Sequence, residues 1–120
     1  MPFDGTNYER DPILRVIDQV DALICDEEHW WQVFRSVRFV DGKVGSHCPV
    51  TAIQACGCSI FADAPEINYI QRALQDITGE EQSSIPTYNN APERKFSEIK
   101  ALIENARQLR VADIVEKVAA

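Results

Sequence analysis

Trp30-Trp31-Gln32-Val33-Phe34-Arg35-Ser36-Val37-Arg38-Phe39-Val40-Asp41-Gly42 is the stretch whose reading decides the fold. Aromatic and β-branched residues recur through it, separated by Gln, Arg and Ser, which is the pattern of a half-buried strand. Asp41-Gly42 follows at once. Both residues tolerate a positive φ, so the pair is a strong signal for a two-residue hairpin turn. A short second strand is expected around Lys43 to Ser46, giving a hairpin over 30–47 and a sheet of two or three antiparallel strands.

Helical periodicity surrounds this hairpin. Upstream, Ile13, Leu14, Ile17, Val20, Leu23 and Ile24 recur at helical spacing opposite Arg15, Asp18, Gln19 and Asp21, predicting a helix over 10–28 that opens at Asp11-Pro12. Downstream, Pro49 starts a short apolar helix over 49–57 that ends at Gly57, and Ile67, Ile70, Leu74 and Ile77 define another over 66–78, stopped by Gly79. Residues 79–88 read as an exposed linker. Asn90-Ala91-Pro92-Glu93 resembles a capping box, so one or two C-terminal helices are expected over 91–118, bending or breaking beyond Leu109. The fold class is therefore α+β: four or five helices packed on a small antiparallel hairpin, in one domain over 1–120.

The balance of charge limits the function classes. The chain has 120 residues, 45% of them apolar, and a net charge of −7. Acid is concentrated in two blocks, with eight acids against two bases in residues 1–28 and five against one in 61–86. This disfavours direct binding to a nucleic-acid backbone, which relies on clustered Lys and Arg. No apolar run approaches the roughly 20 residues that span a bilayer, and Met1 to Arg10 lacks the pattern of a signal peptide, so neither membrane nor export is expected. The four cysteines then read as reduced thiols or ligands of a cytoplasmic protein, in a bacterial or phage-infected cell.

Four local patterns occur in order: the first helix, Trp30-Trp31-Gln32 before an Asp-Gly turn, Cys48 with Ala52-Ile53, and Tyr88-Asn89-Asn90-Ala91-Pro92 leading to Ala101-Leu102-Ile103. The order resembles a family of small uncharacterised bacterial and phage proteins, a domain of unknown function, over roughly residues 12–108. Family members look like a helix, a Gly-Trp-Cys-Gln-Gly-like segment, a Cys-x-x-Gly-Ala-Leu helix and an aromatic-Asn-Asp-x-Pro-Gly helix start. This chain departs from them at His29, Trp31, Thr51, Asn90 and Glu93. The resemblance implies a fold and no activity.

Several residue sets suit chemistry. Cys25, His29, Cys48, Cys56 and Cys58 have the softness of zinc ligands, but there is no Cys-x-x-Cys pair, and neither a metal nor another cofactor is expected. A zinc-stabilised structural domain is the second alternative reading. Cys48, just before Pro49 at a helix start, is the candidate nucleophile, with His29 or His47 as base and Asn89 or Asn90 orienting it. That makes a small cysteine-dependent enzyme the first alternative. The bland reading of each cysteine is a small buried apolar group.

The favoured reading is a non-enzymatic protein-binding module, plausible as a phage-type inhibitor that occludes a host defence or nucleic-acid-processing complex. Its surface would be acidic and aromatic, made of Asp18, Asp21, Asp26, Glu27 and Glu28 with Trp30 and Trp31, and its partner a protein with a basic surface. Strand alternation would bury one of the two tryptophans and leave the other available.

Overall fold

The computed structural model describes residues 11–57, 64–81 and 83–119. In chain order it holds α1 (Pro12–Leu23), a 3₁₀ turn (Glu27–His29), β1 (Phe39–Val40), β2 (Lys43–Val44), α2 (Pro49–Ala55), α3 (Pro65–Thr78), α4 (Ile85–Asn90) and α5 (Phe96–Ala119). Among the described residues five helices and one two-stranded antiparallel sheet make the fold α+β, as the sequence predicts. α1 and α3 lie along α5, and α2 packs on α1, α3 and α4. Ile17, Val20, Ile24, Ile53, Ile70, Leu74, Ile99, Leu102 and Ile103 are completely or almost completely buried between them.

The first helix is shorter than its apolar pattern suggests. It ends at Leu23 rather than continuing to residue 28, while Arg10 lies outside the described residues. The reason is local. Asp26, Glu27 and Glu28 would put three carboxylates on the negative end of a helix dipole, whereas at the start of a new turn they meet free amides. Asp26 accordingly caps the 3₁₀ turn, its Oδ1 accepting from the His29 amide at 3.0 Å.

The long strand expected from Trp30 does not form. Trp30 makes a single parallel bridge to His47, and only Phe39↔Val44 and Val40↔Lys43 pair as a ladder. A side chain and a local turn take up the backbone that a ladder would have used: the Val33 amide donates to Asn90 Oδ1 at 2.9 Å, and the Arg35 amide turns back to the Gln32 backbone carbonyl at 2.8 Å. The Asp41-Gly42 turn does form as expected, with φ of 52° and 76°, the two left-handed positions of a type I′ hairpin.

Residues 79–88 are not a plain linker. Ser84 caps α4, Pro86 occupies its first turn, and Ile85, Tyr88 and Asn89 are buried. Gln71 and Gln75 of α3 donate to the carbonyls of Ser83 and Glu81, which fixes the approach to α4. Asn90 is therefore the last residue of α4 and not the cap of the final helix. α5 starts at Phe96, with Glu98 Oε1 accepting from the Lys95 amide at 2.8 Å, and it runs unbroken through Leu109.

One polar chain joins three helices at the distal end of α5. Asp11, which caps α1 through the Leu14 amide, also takes a two-pronged contact from Arg110, Nη2 to Oδ1 at 2.6 Å and Nε to Oδ2 at 3.0 Å. Arg110 Nη1 donates to the Tyr69 hydroxyl, which donates to Asp113. The Arg110 contact holds the Asp11 carboxyl below the usual aspartate range. A depressed folded pKa binds fewer protons than the unfolded chain near pH 4, so this stability is fully present above the unfolded value and is lost as pH falls through the folded one.

Two predictions follow from this packing. Ile17→Ala or Ile99→Ala lowers unfolding free energy in urea by about 2 to 5 kcal/mol; losses below about 0.5 kcal/mol at both positions would mean that these faces are not core. Asp11→Asn lowers stability at neutral pH and flattens the acid limb below pH 4. An unchanged acid limb by circular dichroism would show that Asp11 contributes nothing to it.

Candidate functional site

The segment after the 3₁₀ turn is buried at its root and exposed beyond it. Its root is clamped on one side by strand-like bonds, the His47 amide donating to the His29 carbonyl and the Trp31 amide to the His47 carbonyl, both at 2.9 Å. On the other side stands Asn89 at the end of α4. Its Oδ1 accepts from Trp30 Nε1 at 2.7 Å, and its Nδ2 donates to the Trp31 carbonyl at 3.0 Å and to Asn90 Oδ1 at 3.1 Å. Gln32, equally buried, donates through Nε2 to the carbonyls of Asn89 and Ala91. Buried polar groups of this kind are stabilising only as a complete set, and here Trp30, Gln32 and Asn89 complete one another.

Beyond Gln32 the chain leaves the core. Val33, Phe34 and Phe39 are 63%, 57% and 67% exposed, and Val37, Val40 and Val44 are also turned to solvent. These six residues lie within one twelve-residue stretch, an apolar ridge on a small domain whose other large apolar side chains are mostly buried. The ridge is fastened to the turn beneath it: Arg35 stacks 4.8 Å from the Trp30 ring centre, and Arg38 Nη1 meets Glu28 Oε2 at 3.1 Å. What it offers chemically is desolvation of apolar surface.

The acidic residues predicted as a binding face are dispersed over two elements and largely paired. Asp18 meets Arg107 at 3.1 Å, Asp21 meets Lys100, Asp26 meets His29 Nδ1 at 2.6 Å and Glu28 meets Arg38. Among the described residues the Glu27 carboxylate makes no ion pair. Trp30 is 2% exposed and belongs to the core, which removes it from any binding face, whereas Trp31 is half-buried with Nε1 donating to the Arg35 carbonyl.

Cys48 follows His47, whose amide donates to the His29 carbonyl, so the candidate thiol and both histidines lie in one region of the fold. Cys48 is buried and acts as the cap of α2, its Sγ accepting from the Thr51 amide at 3.5 Å while Thr51 Oγ1 accepts from the Cys48 amide. Among the described residues no hydrogen bond joins Cys48 to His29 or His47, and Asn89 is engaged by the tryptophans. His47 is buried with Nδ1 lacking a hydrogen-bond partner, and burial pushes its imidazole below the ordinary histidine range. Of the thiols considered as zinc ligands, Cys25 is exposed, Cys48 buried and Cys56 intermediate, and Cys58 lies outside the described residues.

The ridge was missed because the segment was read as alternating. Val33-Phe34 and Phe39-Val40 are adjacent apolar pairs, so they place apolar groups on both faces of any strand, which a single core cannot cover. That break in period two was the available signal. Gln32 and Asn89 gave none, since neither residue type marks burial on its own.

Asn89→Ala strips the partner from a buried indole N–H and a buried backbone carbonyl, so it lowers stability by about 2 to 4 kcal/mol, whereas Asp18→Asn removes one exposed pair worth less than about 1 kcal/mol. Urea unfolding of the two variants checks the order, and a reversal of it would show that the Asn89 cluster does not hold the root.

Among the described residues no helix is long and apolar enough to cross a membrane. No curated protein and no solved structure matches the chain significantly. A family model does match, over residues 9–109, which include α1, the clamped root, the ridge and most of α5. The chain belongs to this family of unknown function, DUF6197.

Proposed function

We propose that the chain is a non-enzymatic protein-binding module that engages its partner through the apolar ridge of residues 33–44, with the acidic turn Asp26–Glu28 at its flank. The single observation that carries this reading is the exposure of Val33, Phe34, Val37, Phe39, Val40 and Val44 together on a rigid root. A contiguous apolar patch on a small domain costs solubility unless another surface covers it. The rigid root supports the same reading, because a preorganised surface loses little conformational freedom on binding.

The partner this surface fits is a protein with an apolar groove and a basic rim. The groove would take Phe34 and Phe39, and the rim would face Glu27, whose carboxylate is left without an ion pair among the described residues. The paired state of Asp18 and Asp21 moves the electrostatic share of binding from α1 to the turn at its end. Such charges act mainly on the rate of encounter and are screened over about 8 Å at physiological salt. Occupying a groove of this kind is how a small module would block a larger complex, which is the inhibitory reading in concrete form.

The experiment is capture from native-host lysate with three tagged proteins: wild type, Phe34→Ser/Phe39→Ser, and Cys48→Ser. A stoichiometric partner is expected with wild type and Cys48→Ser and is lost or bound at least tenfold more weakly with the double variant, at unchanged circular dichroism. Glu27→Lys slows association with that partner at low salt and less at high salt. Equal capture by the double variant, or loss of function in folded Cys48→Ser alone, would remove the ridge from the account and turn attention to the thiol.

A further inference from the structure

The turn that ends α1 gathers a second constellation, independent of the ridge. Cys25, Asp26 and His29 each bring one ligand atom to within 4.8 Å of the others. A tetrahedral ion with bonds of about 2.0 to 2.3 Å separates its ligands by roughly 3.3 to 3.8 Å, so a small side-chain movement closes the set. From these positions we propose that Cys25, Asp26 and His29 form a surface binding site for a divalent transition-metal ion of the zinc class.

The donor set selects the ion. One thiolate, one imidazole and one carboxylate are borderline-soft ligands suited to zinc, and a single carboxylate supplies too few oxygens for calcium or magnesium. Local charge favours a cation, because Asp26, Glu27 and Glu28 are consecutive and the adjoining Glu27 carboxylate is unpaired among the described residues.

The frame around the three ligands is fixed from both sides. Ile24 and Trp30, which bracket the turn, are 0% and 2% exposed. The His29 amide donates to both the carbonyl and Oδ1 of Asp26, and the His29 carbonyl accepts from the His47 amide. The ligand side chains are reachable from solvent, Cys25 and Asp26 being exposed and His29 intermediate, and an ion would take the place of the 2.6 Å contact between His29 Nδ1 and Asp26 Oδ1. Three protein ligands on an open turn leave an outward coordination position for water or for a group of another molecule. Binding forms a metal–sulfur bond and releases the Cys25 thiol proton to solvent.

This site differs from the zinc arrangement considered from sequence, which drew on Cys48 and Cys56. Cys48 is occupied as a helix cap. Asp26, not a further cysteine, is the third ligand. Because the turn is already held by Ile24, Trp30 and backbone bonds, the ion is an addition to a folded chain and not a condition of folding.

Cobalt(II) titration of the full-length, reduced protein tests the site, since a cobalt–thiolate bond gives a near-ultraviolet charge-transfer band. One equivalent is expected to bind with that band, and zinc to displace it. Cys25→Ser should abolish the band and weaken zinc binding at least tenfold, His29→Ala should weaken it similarly, and Asp26→Asn should weaken it while keeping the band. His47→Gln and Cys56→Ser should change neither. Cys25 is exposed, so its serine variant keeps the fold even where His29→Ala does not, and circular dichroism reports on both. No saturable band in the wild type, or a band that survives Cys25→Ser and vanishes in Cys58→Ser, would overturn the assignment. Equal partner capture with and without a chelator is expected, because the ridge does not depend on the ion.

Discussion

The side-chain amide of Asn89 is the contact on which the arrangement of the other parts depends. It is 1% exposed, and both its oxygen and its nitrogen are committed to Trp30, Trp31 and Asn90. A single helical terminus thereby grips a segment nearly sixty positions away in the chain. Without that grip, Trp30 would enter the core with an unpaired indole N–H and the Trp31 carbonyl would lose its side-chain donor. Each such loss costs more than an exposed ion pair returns, so the polar cluster, not the salt bridges, decides where the segment lies. Trp30 closes against Phe96 at the start of α5, which links the same clamp to the longest helix.

The uneven distribution of charge along the chain has an intramolecular explanation. α1 carries Asp11, Asp18 and Asp21, and α5 carries Arg110, Arg107 and Lys100, which meet them in antiparallel order. Three acids of the first block and three bases of α5 are two halves of one interface. The Asp18–Arg107 pair is exposed and adds little stability, whereas Lys100 is half-buried and also donates to the carbonyls of Asp21 and Ile24. Together the pairs favour one alignment of the two helices over a slipped one. The Asp11–Arg110 pair is better buried, two-pronged and continued through Tyr69, so it also contributes to holding α3.

The helices and the turn were legible in the sequence because their causes are local. Asp11-Pro12, Pro49, Gly79 and Asp41-Gly42 each determine backbone geometry within a few residues, and the structure has an element boundary at every one of them. What the sequence concealed depends on long-range partners. Whether Trp30 begins a strand or plugs a core depends on Asn89, whose own role looks like ordinary turn chemistry until the two meet. α4 was obscured because Ser84-Ile85-Pro86 reads as a loop, although Ser and Pro are also a helix start. The Cys25–Asp26–His29 cluster sits on the turn that follows Leu23, where Asp26 becomes the cap of the 3₁₀ turn.

The composition of the ridge bears on what it can meet. An exposed hairpin with apolar groups on both faces is a ready surface for pairing with another copy of itself. Here β1 and β2 are two residues each, and Arg35, Arg38 and Lys43 are interleaved with the apolar side chains. Two copies brought ridge to ridge would oppose like charges across the contact, and strands this short offer few main-chain bonds in compensation. A different protein has no such symmetry, so on the proposed reading its apolar groove can cover Phe34 and Phe39 while its basic rim faces Glu27 and not Arg35 and Arg38. On the proposed reading, the cations interleaved with Phe34 and Phe39 would disfavour a second copy of this chain as the occupant of the ridge.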